Sequence, residues 1–168
     1  MSSIQTILED GERISSSALR TALANGEMQQ AQKLLGRPYA ISGHVIHGQQ
    51  LGRKLGFPTL NLAVANHLHH RKPATTGIFT AQVIGLSEKP LPAVASLGVR
   101  PTVEDQGRVL LETHIFDYQQ DVYGKIITVE LLEKIRDEAK YDDLDTLTNA
   151  IAADAAHARN YFQKKTYV

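Results

Sequence analysis

The residue types best suited to chemistry gather in residues 48–61, which read GQQLGRKLGFPTLN. Gly48 and Gly52 begin a run of three glycines at every fourth position, and Arg53 with the following lysine adds two cations. Glycines at this spacing are costly inside a helix, so the stretch predicts a loop. Backbone N–H groups in such a loop, together with cations, suit an anion such as a polyphosphate.

Thr59 and Asn61 follow the proline of this stretch and lie two residues apart. On an extended chain such residues point to the same side. A hydroxyl and an amide oxygen are hard donors, which Mg²⁺ accepts alongside phosphate oxygens and water. The stretch is not a Walker A loop, because the spacing differs and Phe57-Pro58-Thr59 cannot open a helix. On spacing alone, a solvated surface hairpin is the simpler interpretation.

A further candidate is Glu112, in a predicted strand over residues 108–117. Alternation puts Leu111 and Thr113 on one face of that strand and Glu112 with His114 on the other. A carboxylate between apolar neighbours is costly to bury unless it is paired or reached by solvent. Glu112 therefore belongs either to an exposed face or to a site, and the strand alone favours the exposed face.

Other polar groups give weaker indications of function. His67, His69 and His70 lie close together, but their spacing matches no closed metal site and no cysteine or carboxylate accompanies them, so we interpret them as solvated. Arg100 stands beside a proline in a turn, and we assign it no role.

Composition excludes several classes of protein. The chain has 168 residues, 42% of them hydrophobic, with equal numbers of cationic and anionic side chains. A net charge of zero argues against an extended basic surface that binds nucleic acid. No apolar run is long enough to span a membrane. There is no cysteine, hence no disulfide framework and no thiolate site. The first residues lack a secretory pattern, so the cytoplasm is the expected compartment.

Hydrophobic alternation predicts six strands separated by turns. Their ranges are 39–46, 59–64, 77–86, 91–97, 108–117 and 124–135. Short helices over 18–23 and 27–35 precede them. A long helix follows, with an apolar stripe on Leu144, Leu147, Ile151, Ala155, Ala158 and Phe162. This order predicts a mainly β protein, a small closed antiparallel barrel with the C-terminal helix packed on it and short N-terminal helices.

Residues 48–61 resemble the signature of riboflavin kinases, in particular the kinase domain of the bacterial bifunctional riboflavin kinase/FAD synthetase. Four later segments extend the resemblance in order: 77–81, 95–102, 111–125 and 136–141. Residues 14–20 and 34–39 resemble the junction at which the adenylyltransferase domain of that enzyme ends. The HxGH motif of that domain is absent, because His44 and His47 are spaced differently.

The resemblance implies a six-stranded Greek-key barrel over residues 37–168, preceded by a helical leader over 1–36. It implies transfer of the ATP γ-phosphoryl group to riboflavin, giving FMN, without FAD synthesis by this chain alone. The full-length protein would carry an adenylyltransferase domain before the kinase. The site residues follow the matched motifs: Glu112 as the catalytic group, Thr59 and Asn61 at Mg²⁺ and the phosphates, Gly48, Gly52 and Arg53 over the nucleotide, and Arg136 with its neighbours on the flavin side.

Two other functions stay open from the sequence. A non-catalytic flavin or nucleotide-binding module would bind the same ligands without converting them. A barrel that binds oligonucleotides would need aromatic side chains along one sheet face and a basic groove; ten aromatic residues and zero net charge argue against it.

Overall fold

The fold, taken from a computed structural model, is described for residues 8–9, 12–13, 15–48, 50–64, 73–99 and 108–166. The histidine group at 67–70 and Arg100 lie outside these ranges. The strands are β1 (Leu8–Glu9), β2 (Glu12–Arg13), β3 (Tyr39–Ile46), β4 (Leu60–Ala63), β5 (Gly77–Ile84), β6 (Leu91–Val99), β7 (Val109–Ile115) and β8 (Ile126–Arg136). The helices are α1 (Ser16–Ala24), α2 (Met28–Leu35), α3 (Leu51–Lys54) and α4 (Leu144–Thr166).

Strands β3 to β8 form a closed antiparallel barrel in the order β3-β4-β7-β6-β5-β8, with β8 paired back to β3. The consecutive strands β5, β6 and β7 pair in series, while β4 lies beside β7 and β8 lies beside β5. Each of these arrangements is a Greek key. The predicted six-stranded barrel is therefore confirmed, and its closure leaves no free sheet edge.

The barrel interior is filled by alternate side chains from every strand. Leu62, Phe79, Leu97, Leu111 and Val129 are at most 1% exposed. The buried side chains of α1 and α2 belong to the same hydrophobic cluster, which includes Leu23 and Ala31. The two N-terminal helices are thus packed on the barrel, with Ser15 capping α1 through a bond from the Ala18 N–H. The division into a leader over 1–36 and a barrel over 37–168 stays a prediction.

The apolar stripe of helix α4 makes two kinds of contact. Ala155 and Ala158 are buried against Val94 and Phe116 on the outer wall of the barrel. Leu147 and Ile151, two turns and one turn earlier, line a cavity between the helix and that wall. The predicted packing of α4 on the barrel is confirmed, and the start of its stripe also forms a wall of the cavity. Among the described residues, no helix combines the length and apolar character that a membrane crossing requires.

The glycine-rich stretch differs from the predicted loop, because Leu51–Lys54 forms one helical turn. Gln50 starts the turn with a left-handed backbone (φ 55°), and the Phe57 N–H donates to the Gly52 carbonyl at 2.7 Å. A single turn holds only one of the glycines, so the cost that disfavours a longer helix is small here. The prediction of an irregular loop is wrong over these four residues.

Candidate active site

A cavity of about 260 Å³ lies on the outside of the barrel, not in its interior. Strands β4, β6 and β7 form its floor, α4 forms one side, and the turn that carries α3 forms another. Apolar side chains such as Phe57, Val94 and Ile151 make up much of its lining. A few polar groups enter among them, which is the usual composition of a small-molecule site.

Strand register sets Asn61, Glu112 and Ser96 side by side on the cavity floor. Asn61 of β4 and Ser96 of β6 both lie directly opposite Glu112 of β7. Directly opposed residues of antiparallel strands share one face of the sheet. Their neighbours Leu62, Leu97 and Leu111 point into the barrel, so the three polar side chains point outward into the cavity. Glu112 is half-buried there.

Thr59 precedes β4 and lines the same cavity as Asn61 and Glu112. It also lines a neighbouring depression of about 480 Å³, which Arg53 and the loop from Tyr118 to Tyr123 border. Thr59 therefore stands at the boundary between two concave regions. The first region is largely apolar and is lined by Glu112, Glu138 and the pair Arg136–Asp154, while the second is lined by one cation, Arg53, and one carboxylate, Asp121.

Gly48 and Gly52 lie close to the site through their backbones. A Cβ atom at Gly48 would overlap the side-chain amide of Asn61, which is 6% exposed. A Cβ atom at Gly52 would overlap the backbone carbonyl of Phe57. Both positions require glycine because of close approach, and the first of them brings the glycine-rich turn directly over Asn61.

The donors available for a cation are few and hard. The Thr59 hydroxyl and the Asn61 amide oxygen are neutral oxygens, and Glu112 lies opposite Asn61. Within the described ranges, no group of three or more histidine, cysteine, aspartate or glutamate side chains could enclose a metal ion. This donor set fits Mg²⁺, which commonly keeps several waters and is held partly by substrate phosphates.

Arg136 reaches the cavity but is held by the protein. Its Nε and Nη2 groups donate to the two carboxylate oxygens of Asp154 at 2.9 and 2.7 Å, and Nη1 donates to the Asp137 carbonyl at 3.0 Å. The hydrogen bonding of Arg136 to the Asp154 carboxylate raises the pKa of Arg136 above its usual value. This bidentate pair fixes the end of β8 to α4, and with it the distance between two walls of the cavity.

We expect Asp154→Ala to lower the free energy of unfolding by about 3 kcal/mol, because removal of one partner leaves the Arg136 guanidinium without its charge partner. The Asp154 side chain is 8% exposed and that of Arg136 is 28% exposed. Urea unfolding followed by circular dichroism measures the change. Asp142→Ala, at an exposed position near the start of α4, is the control and should change stability by less than about 0.5 kcal/mol. Equal effects of the two substitutions would contradict the structural role of the pair.

His114 is a site residue to which the sequence assigns no role. Its Nδ1 atom is 2.8 Å from the Pro58 carbonyl oxygen, and its ring meets Phe57 and Phe116 edge-on. These contacts tie the turn that precedes Thr59 to β7. The sequence feature that could have identified His114 is its position two residues after Glu112, on the same face of the strand.

Glu138 is a further carboxylate at the cavity, and it belongs to residues 136–141, whose resemblance to the family gives it no role of its own. It lies between β8 and α4 at the solvent-accessible mouth of the cavity. Burial, followed by the charge of Glu112, raises the pKa of Glu138, while the charge of Arg136 and a hydrogen bond with Ser96 act in the opposite direction. Two carboxylates therefore interact electrostatically at one end of the cavity.

Sequence comparison matches residues 35–162 to the family described as Flavokinase, riboflavin kinase. The bifunctional riboflavin kinase/FMN adenylyltransferase of Escherichia coli strain K12 is 46% identical over 162 residues, which cover 96% of this chain and 50% of that protein. The Bacillus subtilis protein of the same name is 37% identical over 161 residues, covering 95% of this chain and 50% of its own length. The chain thus spans about half the length of these curated relatives.

Solved structures give the same fold. A crystal structure described as a macrolide-efflux protein from Streptococcus pneumoniae superposes with a TM-score of 0.78 at 33% identity, covering 92% of this chain and 49% of that one. The riboflavin kinase from Trypanosoma brucei superposes with a TM-score of 0.54 at 24% identity, covering 76% of this chain and 81% of that one. The second similarity bears on the fold alone.

Proposed function

The chain belongs to the riboflavin kinase family, and from this premise we propose that it transfers the γ-phosphoryl group of ATP to the 5′-hydroxyl of riboflavin, giving FMN and ADP. The observation that carries the proposal is the meeting of Thr59, Asn61 and Glu112 at one cavity. Phosphoryl transfer needs phosphates held next to the acceptor hydroxyl and a group that receives its proton. These three side chains supply groups of both kinds.

The two concave regions suit the two substrates. The isoalloxazine ring would lie in the largely apolar cavity, against the wall that Leu147 and Ile151 form on α4. ATP would lie in the depression bordered by Arg53, with its phosphates reaching Thr59 and the turn that carries Gly48 and Gly52. Arg136 would contribute to the flavin side mainly by fixing α4, since Asp154 already engages two of its nitrogen atoms.

In the proposed reaction the 5′-oxygen of riboflavin attacks the γ-phosphorus of ATP. A new O–P bond forms, the bond from the γ-phosphorus to the β,γ-bridging oxygen breaks, and ADP leaves with that oxygen. Glu112 orients the hydroxyl and takes its proton. In a loose transition state the proton leaves late, so positioning contributes more than the basicity of the carboxylate.

Thr59 and Asn61 would hold a magnesium ion together with the phosphates of ATP. When bound, the ion supplies positive charge that offsets the charge on the transferred group. The side chain of Asn61 is fixed from above by Gly48 and from the side by its strand neighbours. This packing would keep the amide oxygen in place before the nucleotide arrives.

The test is an incubation of the chain with riboflavin, ATP and Mg²⁺, followed by chromatography for FMN. ATP-dependent formation of FMN without FAD is the expected result. Binding of riboflavin or ATP without conversion would instead indicate a flavin or nucleotide-binding module, and absence of binding would remove the proposal altogether.

We further propose that the full-length protein carries an adenylyltransferase domain in addition to this kinase. The proposal is supported by the names of the curated relatives and by the half of their length that this chain leaves unmatched. Because the proposed phosphate donor is ATP, we assign the reaction to the cytoplasm.

A further inference from the structure

Glu138 occupies a defined position on the wall of the barrel. Its carboxylate lies directly on Gly98 of β6, where a Cβ atom would overlap the carboxyl group. A hydrogen bond joins it to Ser96, two residues earlier on the same strand. Ser96 in turn lies opposite Glu112 in the strand register. Glu138 is thus held one strand away from the candidate proton acceptor.

The charges around this position limit what can bind there. Glu112 and Glu138 give this end of the cavity negative charge, while the nearby Arg136 is already paired with Asp154. Because two carboxylates repel phosphate oxygens, the ATP phosphates would approach Glu112 from the side of Thr59 and Asn61 and stay away from Glu138. A carboxylate has about four acceptor positions, and one hydrogen bond from Ser96 leaves others for a ligand. The group that suits it is a neutral donor, such as an alcohol O–H.

We propose that Glu138, positioned by Ser96 and Gly98, accepts a hydrogen bond from a hydroxyl of the polyol chain of the flavin and so selects flavins that carry such a chain. This inference rests on the proposed riboflavin kinase function. The polyol chain must extend from the apolar part of the cavity to Glu112 for its terminal hydroxyl to react. The Ser96–Glu138 pair lies beside Glu112, where the hydroxyls next to the reacting one would pass.

Gly98 provides a way to displace Glu138 without removing it. Gly98 has no positive φ, so alanine fits its backbone conformation. The added methyl would meet the end of the Glu138 side chain, which can move away because it lies at the cavity mouth. Gly98→Ala should therefore mimic Glu138→Ala, and the two substitutions together should have no more effect than either one.

The experiment measures dissociation constants by quenching of flavin fluorescence, using riboflavin and lumiflavin, which has a methyl group in place of the polyol chain. Glu138→Ala and Gly98→Ala should each weaken riboflavin binding by about tenfold or more, as expected for a lost hydrogen bond to a charged group. Lumiflavin binding should change by less than about twofold. Glu88→Ala, on the exposed turn between β5 and β6, is the matched control and should leave both constants unchanged.

Each outcome distinguishes the inference from the proposed function. Equal weakening for riboflavin and lumiflavin, or no weakening of riboflavin by Glu138→Ala, would overturn the role of Glu138 while the unmodified chain still forms FMN. Additive losses in the Gly98→Ala/Glu138→Ala variant would show that the two residues act separately. If the unmodified chain neither binds nor phosphorylates riboflavin, the proposed function itself fails.

Discussion

Replacement of Glu112 by glutamine is expected to lower the turnover number for FMN formation by on the order of 10²-fold or more, as for removal of a general base. Glutamine keeps the shape of the side chain and its position between Asn61 and Ser96, but it cannot take the proton of the acceptor hydroxyl. The dissociation constant for riboflavin should therefore change much less than turnover. Single-turnover kinetics, in which enzyme exceeds riboflavin, separates the chemical step from binding.

The control for Glu112→Gln is Glu130→Gln. Glu130 is also a strand glutamate, but it bonds Gln82 on the outer wall of the barrel and does not line the cavity. Its substitution should leave turnover within about twofold of the original. Near-normal FMN formation by the Glu112 variant, with an unchanged unfolding midpoint, would remove this carboxylate from the mechanism.

The barrel was largely predictable from strand-forming residues bounded by turns and, most clearly in β7, from alternation of apolar and polar side chains. Inward positions of β7, for example, carry Val109, Leu111 and Ile115, and the structure buries all three. A shift of one residue in the pairing of β7 with its neighbours would turn these three side chains outward, so the pattern fixes the register of this strand. The predicted strand at 39–46 coincides with the observed β3 (Tyr39–Ile46), and the other five differ from prediction by one or two residues at their ends.

Alternation could not decide between the two interpretations of Glu112. The outward face of a barrel strand is normally exposed to solvent, and by that rule Glu112 belongs to an exposed face. In the structure α4 and the turn carrying α3 cover this part of the wall, and Glu112 is half-buried in the resulting cavity. The covering depends on contacts far apart in the sequence, such as the pair between Arg136 and Asp154. Such contacts cannot be read from the pattern of residues within a single strand.

Glu138 and the α3 turn are two features that sequence patterns did not indicate, each for its own physical reason. A glutamate in a charged connection is usually solvated, and its chemistry here comes from contact with Ser96 and Gly98, about 40 residues earlier in the chain. The turn at Leu51–Lys54 is completed by a bond from Phe57 to Gly52, across a glycine-rich stretch with little helix propensity. A tertiary contact therefore determines the setting of Glu138, whereas a local backbone bond completes the α3 turn.

Substitution of Asn61 by alanine should lower the apparent affinity of the enzyme for Mg²⁺ by roughly 10–100-fold, measured at a fixed ATP concentration. The amide oxygen would be lost from a donor set that has few protein oxygens to begin with. Riboflavin binding in the absence of nucleotide should change little, because the ring is expected against the α4 wall. Titration of Mg²⁺ against the rate of FMN formation gives the apparent affinity.

Asn61→Asp tests the side-chain oxygen at this position separately from the amide nitrogen. Asn61 is 6% exposed and supports Gly48, so alanine also removes contacts that position the glycine-rich turn. Aspartate keeps an oxygen at the same place and adds charge, which favours a divalent cation, although it brings a second carboxylate opposite Glu112. We therefore expect apparent metal affinity to recover in Asn61→Asp. An unchanged Mg²⁺ titration for Asn61→Ala would exclude Asn61 as a metal ligand, whereas equal weakening in both variants would assign its effect to the amide nitrogen that both lack.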